Sequence, residues 1–175
     1  MGSMVHLDAV ATRPFDAQEL KQAFGHFATG VSIITGLQAS GEPYGLTVSS
    51  FQALSLDPAL ILYSVRRGAA SLDFLTVRKT FGVSVLCQGQ EWIARQFAER
   101  RPDRYSNVTW TPGHFGSPLI DNAIASFECD VWSTYEGGDH VIVVGRVCNL
   151  AARMDGPPLV YFRGRFLPDH AHTSS

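Results

Sequence analysis

Cysteine is scarce. The 175 residues hold three, Cys87, Cys129 and Cys148, and no two stand as a C-x-x-C pair. That excludes a disulfide scaffold and a cysteine zinc site. An odd count fits a reducing compartment, where cysteine behaves as a small buried apolar residue. Long apolar runs are also missing, and none approaches the ~20 residues of a membrane helix. No basic segment followed by an apolar core opens the chain, so no signal peptide is read. The expectation is a cytoplasmic protein with no membrane partner. Charge is sparse too: 17% of residues are charged and the formal net charge is -2. Such a balance gives no general pull toward nucleic acid, and no nucleic-acid partner is expected.

Several signatures of chemistry are absent. There is no G-x-G-x-x-G after a strand and no G-x-x-x-x-G-K-[ST]. H-E-x-x-H and G-x-S-x-G are missing as well. This weakens the case for four large enzyme classes. No metal site is expected. His170 and His172 in the tail suggest one by composition only.

What is present is a chain of one domain's length, 45% hydrophobic, which rules out intrinsic disorder. Met1-Gly2-Ser3 ahead of Met4 reads as a tag remnant within an arm at 1–14. A domain at 15–167 and a mobile tail at 168–175 complete the expected division. Asp16-Ala17-Gln18-Glu19 reads as a capping box, and Leu20, Ala23, Phe24 and Phe27 follow at helical spacing. A helix is expected over 16–28. Strands are expected over 31–35, 44–51, 60–65 and 80–86, and a second helix over 90–99. Ser71 would cap a short helix carrying Leu72 and Leu75. Residues 100–118, rich in Arg, Pro, Gly and Asn, read as an excursion loop. The alternation of Phe127, Cys129, Val131 and Tyr135 with Glu128, Asp130 and Trp132 leads through Gly137-Gly138 into Val141–Val147. That is a β-hairpin with a glycine turn. Leu159–Phe166 reads as one last strand. Strands and helices do not alternate regularly, so the expected class is mainly β with helices (α+β), an antiparallel barrel with helical decoration.

Four segments carry candidate chemistry. Thr47, Ser49 and Ser50 put hydroxyls and backbone N–H groups at a strand end, where they suit a planar ring or a phosphate. They equally suit a solvated strand face. Ser64-Val65-Arg66-Arg67 runs into a loop, and Ser71 opens a helix beyond it. An arginine beside a helix N-terminus can cradle phosphate. The same residues make an ordinary charged loop. Gly138-Asp139-His140 is a turn whose histidine is either solvated or projected over a pocket mouth. Tyr161-Phe162-Arg163 can stack on a nicotinamide or adenine ring, or can be a strand with a snorkelling arginine. His26 and His114 look weaker.

Taken together, these segments resemble the short-chain flavin reductase family, the reductase components of two-component flavin-dependent monooxygenases. The resemblance runs from about Phe15 to Phe166. It rests on Phe24–Val31, on Thr47-Val48-Ser49-Ser50-Phe51 with Ser55–Pro58, on Ser64–Ser71 and on Gln96-Phe97-Ala98. Gly137-Gly138-Asp139-His140 with Val141–Val147 is its most specific part. Ser84 stands where the family often has Asn, and Val48 where Ala is common.

The resemblance implies a split antiparallel β-barrel of the FMN-binding type, a homodimer with flavin at the subunit interface. It implies hydride transfer from NADH or NADPH to FMN or FAD, with reduced flavin passed to an oxygenase. It places flavin against Thr47, Val48, Ser49, Ser50, Ser64, Val65, Arg66, Arg67, Ser71, Ser84 and Phe97. It places the nicotinamide nucleotide against His140, Tyr161, Phe162 and Arg163, with His140 as the catalytic contact, a positioning donor rather than a base. Two rivals remain open: an electron carrier that keeps its FMN, and a silent interaction module of the same fold.

Overall fold

The computed structural model describes residues 13–68, 78–99 and 101–168. Ser71 and its expected short helix lie outside the described residues, as do the arm before Arg13 and the tail after Pro168. Twelve strands and two α-helices are present among the described residues.

Helix α1, Ala17–Phe24, begins where the capping box places it. Asp16 Oδ1 accepts from the N–H groups of Gln18 and Glu19 at 2.8 Å each. Glu19 Oε2 accepts in return from Asp16 N–H at 3.1 Å. The helix stops four residues short of the expected end. The Gly25 carbonyl turns away to accept from Arg163 N–H at 2.9 Å, so the chain leaves the helical path there. None of the residues of α1 is buried.

Seven antiparallel strands form the main sheet, in the order β3-β2-β6-β9-β10-β5-β4. They are β2 (Ser32–Leu37), β3 (Pro43–Val48), β4 (Gln52–Leu56), β5 (Ala59–Arg66), β6 (Thr80–Val85), β9 (Ala125–Gly137) and β10 (His140–Ala152). The order leaves β3 and β4 at its two ends. The strand expected over 44–51 ends at Val48, and β4 is an addition to the expected strands.

Two apolar clusters hold the sheet. Ile34, Tyr63, Phe81, Val83 and Val143 pack on one side, with Tyr63 and Phe81 edge to face at 5.3 Å. Ile33 points to the other side, with Ile93, Ala94 and Phe97 of helix α2 (Glu91–Ala98). Neighbouring residues of a strand face opposite ways. β2 is therefore covered on both faces, which is why Ser32 through Gly36 are all buried.

Two expectations need correction. The stretch 100–118 is not all loop: Trp110–Pro112 (β7) pairs with Pro118–Ile120 (β8). The buried carboxylate of Glu128 holds the turn between them, accepting from His114 N–H at 2.7 Å and Phe115 N–H at 2.8 Å. The last strand is two, β11 (Val160–Phe162) and β12 (Arg165–Phe166). Arg163 and Gly164 between them take φ of 48° and 80°. Positive φ at both central residues makes the tight two-residue turn that suits strand twist. β11 also pairs with the short β1 (Thr29–Gly30), which sets Thr29 opposite Tyr161.

Candidate functional site

A cavity of about 1460 Å³ opens between α1, the sheet and the β11–β12 turn. Its floor follows from strand register. Gln52 lies opposite Leu62, and Ser64 opposite Ile142. The odd-numbered residues Ile61, Tyr63 and Val65 point into the core, which turns Leu62 and Ser64 to the cavity. Ser49 and Ser50, just past the end of β3, border this floor. Lys21, Gln22, Phe24, His26 and Phe27 form the wall from α1 and its exit. Thr29, Tyr161, Arg163 and Gly164 complete the lining beside that wall.

Five of the residues expected from sequence therefore meet: Ser49, Ser50, Ser64, Tyr161 and Arg163. Ser50 Oγ donates to the Ser64 carbonyl at 3.2 Å and accepts from Ser64 N–H at 3.0 Å. Its bonds are spent on shaping the site. Ser49 is exposed and has no such tie.

Arg66 and His140 sit opposite each other in register, one step further along the face that carries Ser64 and Ile142. His140 Nδ1 lies 2.8 Å from Asp139 Oδ1. That hydrogen bond, with the charge of His140 and of Arg66, holds the Asp139 carboxyl below its ordinary range. An ionised carboxylate only accepts, so Nδ1 must donate. That leaves His140 Nε2 free to meet a ligand. Arg67 is tied to the hairpin tip: Nε donates to the Gly138 carbonyl at 2.7 Å, and the guanidinium pairs with Glu136. Arg66 is looser, exposed and 4.0 Å from Asp139.

Other expected residues do not line this cavity. Val48 and Val65 are core. Thr47 Oγ1 donates to the Ala94 carbonyl at 2.7 Å, coupling β3 to α2. Ser84 is fully buried and its Oγ accepts from Ile120 N–H at 2.9 Å. Phe97 is buried edge to face with Tyr105 at 5.0 Å. Both belong to the packing of β6 and α2, whose inner faces are closed to a ligand in this cavity. Phe162 stands behind the wall, under the Arg163 guanidinium at 5.2 Å.

Sequence reasoning gives Lys21 and Thr29 no individual role and ranks His26 as weaker. Thr29 is the most informative. Its Oγ1 is buried without a hydrogen-bond partner among the described residues, and the residue borders the cavity. A buried hydroxyl left unpaired is uncommon and costly, and it fits a site built to bond a polar ligand.

The flavin reductase like domain matches residues 24–168. The chain belongs to that family. It is 40% identical to an NADH-dependent FAD reductase of Streptomyces globisporus, with 97% of this chain and 96% of the relative covered. It is 34% identical to the reductase subunit of a flavin-dependent monooxygenase of Rhodococcus jostii, covering 90% of this chain and 80% of that one. Against a probable flavin reductase of Rhizobium meliloti it is 39% identical over 76% of its length, and it spans only 43% of that relative. Among solved structures, the S. globisporus NADH:FAD oxidoreductase in complex with NAD and FAD fragments superposes with a TM-score of 0.85 at 38% identity. That match covers 94% of this chain and 99% of the other.

Proposed function

We propose that the protein is an NAD(P)H:flavin oxidoreductase that supplies reduced FMN or FAD to a partner flavin-dependent monooxygenase. The observation that carries this is one cavity joining Ser49, Ser50 and Ser64 to Tyr161 and Arg163 in a chain of the flavin reductase family. The unpaired Thr29 hydroxyl is the sign that this cavity takes a polar ligand.

In this reading Ser49, Ser64 and Thr29 offer hydroxyl and backbone groups to a flavin ring lying on Leu62 and Ile142. Arg66, at the loose end of β5, faces the flavin phosphate. Tyr161 and Arg163 hold the nicotinamide nucleotide beside the β11–β12 turn. His140 presents Nε2 to the same nucleotide, fixed in orientation by Asp139. Nicotinamide and flavin supply the redox chemistry themselves when bound, and the protein contributes orientation and charge matching. No side chain has to act as a nucleophile or a base.

The finer architecture we assign is a split barrel, and the assembly an isologous homodimer, the commonest form for such chains. Leu54 and Leu56 on the end strand β4, with Trp132 and Leu150 on the long β9–β10 hairpin, are exposed apolar residues that a second copy would cover. The reducing cytoplasm suits a chain whose three cysteines are free.

The test is steady-state NADH and NADPH oxidation with FMN, FAD and riboflavin added in turn. Catalytic turnover of added flavin is expected. A yellow protein that survives dialysis and turns over no added flavin would make it an electron carrier instead. Binding neither flavin nor NADH would leave only an interaction module.

A further inference from the structure

The cavity is unbalanced in charge. Lys21 and Arg163 both border it, and no aspartate or glutamate does among the described residues. Six arginines elsewhere in the described chain lie within 4.0 Å of a carboxylate: Arg13, Arg66, Arg67, Arg101, Arg146 and Arg153. Lys21 has neither an ion pair nor a hydrogen-bonded side-chain partner among the described residues. Arg163 lies over Phe162 and meets one polar partner, His26, with Nη2 at 3.2 Å from Nδ1. An arginine only donates, so Nδ1 is the acceptor and the ring proton sits on Nε2. His26 therefore holds the guanidinium without neutralising it.

The backbone brings the second cation to the same place. Gly25 N–H donates to the Lys21 carbonyl at 3.0 Å, and the Gly25 carbonyl accepts from Arg163 N–H at 2.9 Å. A Cβ at Gly25 would lie 3.5 Å from Arg163 Cα, so the exit of α1 and the β11–β12 turn are in close contact there. The end of α1 and that turn thus form one unit presenting two uncompensated positive charges to an open cavity.

Resting on the reading of the site as a flavin reductase site, we infer that Lys21 and Arg163 form a subsite for the pyrophosphate of a bound dinucleotide. His26 is the positioning residue that sets the Arg163 guanidinium. A pyrophosphate carries two negative charges and several acceptor oxygens, which two cations bordering one cavity can share. NADH and FAD both contain this group, and a cavity free of carboxylates repels neither.

The experiment uses the full chain and three variants: Lys21→Gln, His26→Leu and His26→Asn. The side chains changed are exposed and α1 buries nothing, so the fold should survive. Binding of ADP-ribose, which has the pyrophosphate but no nicotinamide, is measured by titration calorimetry. It should weaken about three- to tenfold in Lys21→Gln and His26→Leu, the range for exposed charge-assisted contacts. His26→Asn should stay near the parent, because Oδ1 can accept from Arg163 in place of Nδ1. KM values then name the source. A rise for NADH with FAD unchanged places the nicotinamide dinucleotide there, and the reverse places FAD there. In either case kcat should move less than twofold. ADP-ribose binding that is unchanged in Lys21→Gln and His26→Leu, or absent in the parent, overturns the subsite whether or not the parent reduces flavin. A parent that binds ADP-ribose but turns over no flavin overturns the functional reading and leaves the subsite standing.

Discussion

Asp139 Oδ1 stands 2.8 Å from His140 Nδ1 at the tip of the β9–β10 hairpin, so one turn residue fixes the ring of the next. Gly138 makes the turn possible with φ of 74°, a conformation that side chains other than glycine rarely adopt. His140→Ala should therefore raise KM for NADH by about five- to thirtyfold, one hydrogen bond plus ring packing. Asp139→Ala should act in the same direction by less, because it frees the ring without removing it. KM for flavin should stay within twofold in both. If KM for NADH and kcat stay within twofold of the parent in His140→Ala, the residue is only a turn histidine.

The same pair has a pH signature. The Asp139 carboxyl is held below its ordinary value first by the hydrogen bond from His140. A carboxyl lowered on folding contributes stability that is complete above its unfolded value and lost as pH falls through its folded value. The hairpin-tip contact should thus persist down through the ordinary carboxylate range and fail only below it. Carboxyl NMR titration of Asp139 should give a midpoint below that of a free aspartate. In His140→Ala the midpoint should move back up. An unchanged midpoint in that variant would mean that His140 is not the cause.

Arg66 and Arg67, adjacent in sequence, should behave differently. Arg67 is bound into the hairpin tip through Gly138 and Glu136, whereas Arg66 is exposed with a 4.0 Å contact to Asp139. Arg66→Ala should weaken FMN about three- to tenfold and leave riboflavin, which has no phosphate, unchanged. Arg67→Ala should disturb the turn that carries His140 and so raise KM for NADH as well. Fluorescence titration with FMN and riboflavin separates these outcomes. Equal losses for both flavins in Arg66→Ala would remove Arg66 from the phosphate.

Much of this was legible in the sequence because local rules carried it. The capping box at Asp16 and Glu19, the glycine turn before His140 and the serine just past β3 at Ser49 all use short-range chemistry. Other placements depend on contacts between distant elements. The resemblance places Ser84 and Phe97 against flavin, and neither lines this cavity, because a residue type says nothing about which neighbour covers it. Here β6 is covered on both faces, and the Ser84 hydroxyl answers Ile120 instead of a ligand. Lys21 belongs to no motif in the sequence, and His26 reads there only as a weaker candidate. Their role depends on the β11–β12 turn, more than a hundred residues away in the chain. The positive φ at Arg163 that makes this turn is not a residue preference that sequence would suggest.

Glu128 is the sharpest stability prediction, because alternation in β9 sets it opposite the apolar residues and yet it is 1% exposed. Its carboxylate accepts from His114 N–H, from Phe115 N–H and from Asn149 Nδ2 at 3.2 Å. These bonds clamp the β7–β8 turn onto the sheet. Glu128→Ala would leave two backbone donors without partners and should cost about 2–4 kcal/mol. At this chain length that lowers Tm by roughly 5–15 °C. Gly113→Ala should act on the same clamp from the other side, because a Cβ there would collide with the Glu128 carboxylate and force it off its donors. Neither residue borders the cavity, so kcat measured well below Tm should remain near that of the parent. Thermal melts by circular dichroism give the answer. Tm within 2 °C of the parent in both variants would show that the turn is held by other contacts and that the buried carboxylate is not its clamp.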